Sequence, residues 1–188
     1  MGTSRYGSGD MKCIIVGIPK SGTHALQKAV RELGVDASEH LHTCNYHLAE
    51  NNKVAYVLRN PRNVLISAMR YKNHQMRGWK DTITDEKLIE LFFEFFNCSM
   101  PGVYVSYEKW LTSKAHVVRF EGLLDRSEIP GLAEFLGVPN KKIALEGGTY
   151  TWTGELSDWR KFWTPGIDKV WKEEGMVEIE RGLGYVND

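Results

Sequence analysis

Two glycines five residues apart, Gly17 and Gly22, bracket a lysine in the stretch 15-IVGIPKSGTHAL-26. A loop set between a short apolar run and a helical pattern gathers unpaired backbone N–H groups at the positive end of the helix dipole, and this suits a phosphate. The Walker loop of ATP- and GTP-binding proteins has the same GxxxxG spacing, followed at once by lysine and then Ser or Thr. Here Thr23 and His24 follow the second glycine, and the lysine stands inside the loop as Lys20. Ser21, Gly22, Thr23, His24 and Ala25 are therefore expected to hold a 5′-phosphate through N–H donors, with Lys20 reaching the group beyond it. GxxxxG alone suits a plain strand-to-helix turn with a solvated lysine equally well.

The elements that must position this loop are legible from periodicity. The β-branched run 13–17 suits a buried parallel strand, and Leu26, Ala29, Val30 and Leu33 fall at helical spacing before Gly34 as a stop. A second strand, 53-KVAYVL-58, runs into 59-RNPRN-63, where Pro61 can start a helix through 71. Between them, 38-SEHLHT-43 reads as a short strand carrying His40 and His42 on one face. Segments 85–97 and 103–111 read as helices, the latter with a strand as its alternative; 115–120 reads as a strand and 128–137 as a short helix. Thr164 and Pro165 can cap and open a last helix through about 182, weakened in its middle by Gly175. Strands alternating with helices predict a single α/β domain, P-loop-like, with a central parallel sheet flanked by helices on both faces and ligands beyond the strands' carboxyl ends.

Composition bounds the function. The 188 residues, 42% hydrophobic and 26% charged, suit one compact domain over 11–188, with the polar residues 1–10 as a flexible tail or expression remnant. With 24 basic and 24 acidic residues the formal net charge is zero, so no general pull toward nucleic acid is expected and any anion site must be local. Cys13, Cys44 and Cys98 are widely spaced and odd in number, which predicts buried thiols in a reducing, cytoplasmic setting. No apolar run of about 18 residues predicts a membrane span.

PKSGT (19–23), taken with 56-YVLRNPRNVLIS-67, resembles the two nucleotide-binding signatures of the sulfotransferases that use 3′-phosphoadenosine 5′-phosphosulfate (PAPS). Also similar, in the same order, are 103-VYVSYEKWL-111, 117-VVRFEGLL-124 with 132-LAEFLGVP-139, and 154-GELSDWRKFWT-164. The resemblance covers nearly the whole chain after residue 11. It implies that PKSGT holds the 5′-phosphosulfate and that Arg59 and Ser67, eight positions apart, bind the 3′-phosphate. An arginine leaving a strand and a serine on the next helix can converge on one phosphate from two sides. The chain departs from the family's cytosolic members at Ala25, where they carry a tryptophan that stacks on adenine, and at 151-TWTG-154 in place of an Arg-Lys-Gly clamp. Thr153 and Gly154 stand at the clamp's position.

Sulfuryl transfer resembles phosphoryl transfer in that positioning and charge stabilisation carry it, without a required metal. Lys20 is suited to place positive charge on the bridging oxygen and sulfonate. The acceptor needs a base, and histidine has an unperturbed pKa near neutral. The resemblance aligns His40 with the family's histidine base; His42 is the rival and Glu39 a third candidate. PAPS is thus the expected donor, adenosine 3′,5′-bisphosphate the product, and a hydroxyl or amine on a small molecule or carbohydrate the acceptor. Two alternatives are a P-loop nucleotide kinase using ATP and magnesium, and a nucleotide-binding module without catalysis. A kinase would want its lysine after Gly22.

Overall fold

The computed structural model describes residues 12–38, 40–77, 85–96, 100–145 and 159–185. Four strands, β1 (Lys12–Gly17), β2 (Asp36–Ala37), β3 (Lys53–Leu58) and β4 (His116–Arg119), form one sheet in the order β2-β1-β3-β4. All three pairings are parallel, with Gly17 opposite Val57 and Leu58 opposite Arg119. The helices are α1 (Thr23–Glu32), α2 (Leu48–Asn51), α3 (Pro61–Arg77), α4 (Asp85–Phe96), α5 (Met100–Glu108), α6 (Phe120–Leu124), α7 (Ile129–Leu136), α8 (Pro165–Glu173) and α9 (Met176–Gly182).

Strand periodicity divides the core into two layers. Val16, Val54, Tyr56 and Leu58 pack on one face with Leu65, Met69, Phe92, Trp110 and Trp171. Cys13, Ile15, Ala55 and Val57 pack on the other with Leu26, Ala29, Val30 and Leu132. Helices therefore cover both faces, and the loops leaving β1, β3 and β4 emerge together at one edge.

Three expectations need correction, and the open choice at 103–111 falls to helix. The strand proposed at 38–43 lies earlier: β2 pairs at Lys12 and Cys13, and beyond it Leu41 alone returns to bridge Val16. Segment 103–111 is helical, as α5 followed by a 3-10 turn at Lys109–Thr112. The last helix is two, because Gly175 takes a left-handed φ of 72° between α8 and α9. Thr164 nevertheless caps α8, its side chain accepting the Ile167 N–H. Cys13 is buried as expected but Cys44 is exposed, and Cys98 lies outside the described residues. Among the described residues no helix is long and apolar enough to cross a membrane.

Candidate active site

The loop after β1 is shaped by close approach. A Cβ on Gly17 would lie 2.6 Å from Ser21 Oγ and 2.7 Å from Val57, so the loop can fold back on the sheet only over a glycine. Ser21 N–H donates to Ile18 O at 3.0 Å and closes the turn. Lys20 and Gly22 both take positive φ, 71° and 109°. Gly22 opens α1 with no side-chain cap, which leaves the first-turn amides without intrahelical partners. Ser21 is buried, and its hydroxyl has no hydrogen-bond partner among the described residues. Ala25 packs into the core, 1% exposed, so only its backbone faces this task.

Because β3 lies beside β1, Arg59 emerges next to the loop. Its Nη1 donates to Lys20 O at 3.1 Å, and its guanidinium lies 4.4 Å from the centre of the Phe120 ring. Arg59 is buried, and its Nε has no partner among the described residues. Burial pushes its pKa down to about 10, with Glu121 the leading charge acting the other way, so it stays protonated at neutral pH. Asn60 caps α3, its Oδ1 accepting the Arg62 N–H at 2.9 Å. Asn63, Ser67 and Tyr71 then recur every four residues along one helix face. Asn63 and Ser67 are buried, and the Lys20 ammonium rests 3.2 Å from the centre of the Tyr71 ring. Burial lowers the Lys20 pKa.

The histidines gather on the loop's other flank. Leu41 N–H donates to Ile15 O at 2.8 Å and Leu41 O accepts Gly17 N–H at 3.2 Å, so residues 40–42 run alongside the end of β1. His42 Nδ1 is 2.6 Å from Gly17 O. A carbonyl only accepts, so Nδ1 carries a proton, and in the neutral ring Nε2 is the nitrogen with the lone pair. The His40 ring stands 5.2 Å from His42 and 4.3 Å from His24, centre to centre. Burial, then Lys20, then His42 lower the His24 pKa. Among the described residues no group of three or more His, Cys, Asp or Glu side chains is arranged to hold a metal. Glu39, Thr153 and Gly154 lie outside the described residues.

The aromatic cluster near 159–163 serves packing. Arg62 makes a buried ion pair with Glu180, which also accepts Trp171 Nε1–H at 3.2 Å, and the Trp159 and Trp163 rings lie 4.3 and 4.8 Å from the Arg62 guanidinium. Sequence reasoning passed over Asn63 and Tyr71, although their spacing around Ser67 was the signal. It also passed over the roles of Phe120 and Glu121 inside a segment it had singled out.

A parallel sheet whose first loop carries uncapped amides and a lysine, with a buried arginine from the neighbouring strand beside it, is a P-loop-like α/β fold. Residues 37–153 match the family model of the sulfotransferase domain, and the chain belongs to that family. The match includes His40, His42, Arg59 and Ser67 and begins after the Lys20 loop. In structure the chain is similar to mouse sulfotransferase SULT7A1 complexed with PAP, with a TM-score of 0.69 over 94% of this chain and 88% of that one. Their sequence identity is 16%, so the likeness is one of fold. No curated protein matches the chain in sequence.

Proposed function

We propose that the chain moves a sulfuryl group from PAPS to a hydroxyl of a small-molecule or carbohydrate acceptor, with an amine as the second choice. The observation that carries this is the bond from buried Arg59 to the Lys20 carbonyl, which brings the two segments proposed to bind the nucleotide into one cationic cluster. The residues fit such a donor. The Ser21 hydroxyl and Arg59 Nε are buried donors with no partner among the described residues, and the amides of Thr23, His24 and Ala25 are uncapped. Amides and Ser21 would hold the 5′-phosphate, Arg59 and Ser67 the 3′-phosphate, and Lys20 the charge on the group being transferred. When bound, PAPS supplies the sulfuryl group and leaves as adenosine 3′,5′-bisphosphate.

For the base, the Gly17 carbonyl supports His42 over His40. It fixes the tautomer that leaves Nε2 free to accept the acceptor's proton, while His40 stands between His42 and His24. Donor identity is tested by thermal unfolding with ligands. Adenosine 3′,5′-bisphosphate is expected to raise Tm well above the rise given by equal ADP or ATP. Equal stabilisation by ATP, enhanced by magnesium, would support a nucleotide kinase instead.

A further inference from the structure

Phe120 and Glu121 open α6 at the end of β4, directly beside Arg59 and Asn60, because Leu58 and Arg119 pair across the sheet. The two dipeptides lock together. The Phe120 ring faces the Arg59 guanidinium, and Glu121 Oε1 accepts the Asn60 N–H at 3.1 Å. The other carboxylate oxygen, Oε2, accepts the Tyr185 hydroxyl at 2.9 Å. Tyr185 is seated in turn by its own N–H, which donates to Glu180 O at 2.8 Å, and by Arg119, which donates to Leu183 O at 3.1 Å.

We propose that Glu121 and Tyr185 are positioning residues for recognition of the donor's 3′-phosphate, acting through Arg59. The inference rests on the reading of Arg59 as a ligand of that phosphate. Three observations carry it. Asn60 is the only residue between Arg59 and α3, and it also caps that helix, so the Glu121 carboxylate fixes the joint that relates Arg59 to Ser67. Both Glu121 oxygens are occupied by donors, which orients the carboxylate toward the protein. The hydroxyl that holds Oε2 comes from beyond the last helix, so a residue far along the chain sets the geometry of a strand end formed early in it. Glu121 is also the leading charge that favours the protonated Arg59 guanidinium.

A merely structural role and a positioning role differ in one ratio. The affinity for adenosine 3′,5′-bisphosphate over that for adenosine 5′-monophosphate isolates the contribution of the 3′-phosphate, and calorimetry on the full chain measures both. In the wild type the ratio is expected to be about tenfold or more, the scale of one charge-assisted contact. Tyr185→Phe, which keeps the ring and removes one hydrogen bond, should lower the ratio about threefold to tenfold. Glu121→Ala should lower it by about tenfold or more, and Glu121→Gln by less, because its amide oxygen still accepts one donor. The monophosphate affinity should stay within about twofold of wild type in each case, since the proposed 5′-phosphate donors lie elsewhere.

An unchanged ratio in Tyr185→Phe, with Tm lowered, would reduce the pair to structural residues and overturn the inference. Should Glu121→Ala fail to fold, Tyr185→Phe and Glu121→Gln still decide it. A wild-type ratio near one would overturn the 3′-phosphate reading itself, and this inference with it, which is a different failure from a normal wild-type ratio that the variants leave untouched.

Discussion

Gly22→Ala tests the loop on which the site depends. Gly22 has φ of 109° and ψ of 25°, and a Cβ built there lies 2.2 Å from Phe120 Cδ2 and 2.7 Å from Cε2. Two costs follow. The left-handed backbone penalises an L side chain by about 1–2 kcal/mol. The overlap costs about 1–3 kcal/mol more, because the Phe120 ring is buried with the Arg59 guanidinium on one face and has little room to yield. Urea unfolding should thus show a loss of about 2–5 kcal/mol at unchanged m-value. A cycle with Phe120→Leu separates the two terms. In that background the steric part should fall away, leaving about 1–2 kcal/mol of backbone strain, with a coupling of about 1–3 kcal/mol between the sites. A Gly22→Ala protein within about 0.5 kcal/mol of wild type, or an identical loss in both backgrounds, would refute the packing of Phe120 on the loop.

Lys20→Ala should lower turnover by about 10²-fold or more, with a smaller loss in binding of adenosine 3′,5′-bisphosphate through the loop amides; near-normal turnover removes Lys20 from the mechanism. His42→Ala should cost about 10²- to 10⁴-fold in turnover and abolish the acid limb of the pH–rate profile, with His40→Ala costing less; the reverse order would return the role to His40. His116, stacked on Phe135 at 4.8 Å, has its pKa lowered by burial from the ordinary 6.5, against the opposing charges of Glu128 and Glu134. The unfolded chain therefore binds a proton first, so this residue's contribution to stability is lost as pH falls below 6.5. Urea melts from neutral to acid pH should show that slope, and His116→Gln should flatten it, leaving the share due to His24, which shifts in the same direction.

What the sequence disclosed was local. Gly17 and Gly22 bracket a single strand-to-helix loop, and Asn60 followed by Pro61 is a helix start written in adjacent residues. Both sheet faces were legible because burial on two sides leaves β-branched runs such as 13–17 and 53–58. What stayed hidden depends on residues distant in the chain. The Glu121 carboxylate meets partners 61 and 64 positions away, and nothing in FEGLL signals either. His24 looked like part of the loop, yet its ring lies against His40, which the return of Leu41 alongside Val16 brings near. The strand at 38–43 was misplaced because alternation identifies extended chain but does not say where a neighbour is available. β1 offers its ladder to Asp36 and Ala37, and then to Leu41 alone.

Lys20 is not held as a solvated lysine in a plain turn would be. A solvated lysine in a plain turn would keep an ordinary backbone and an exposed ammonium. Lys20 instead takes a left-handed φ of 71°, is partly buried, and lays its ammonium on the Tyr71 ring. Arg59 lies on the Phe120 ring in the same manner. Neither cation makes an ion pair among the described residues, and burial is the first cause of the downward pKa shift in both. Aromatic faces stabilise a cation by about 0.5–2 kcal/mol, less than burying the charge costs. Two cations held this way are underpaid for their lost hydration, and an anion bound there would offset the deficit. No carboxylate has to be displaced first, which is the electrostatic arrangement that a chain of zero net charge needs if it is to bind a polyanionic donor at one edge of its sheet.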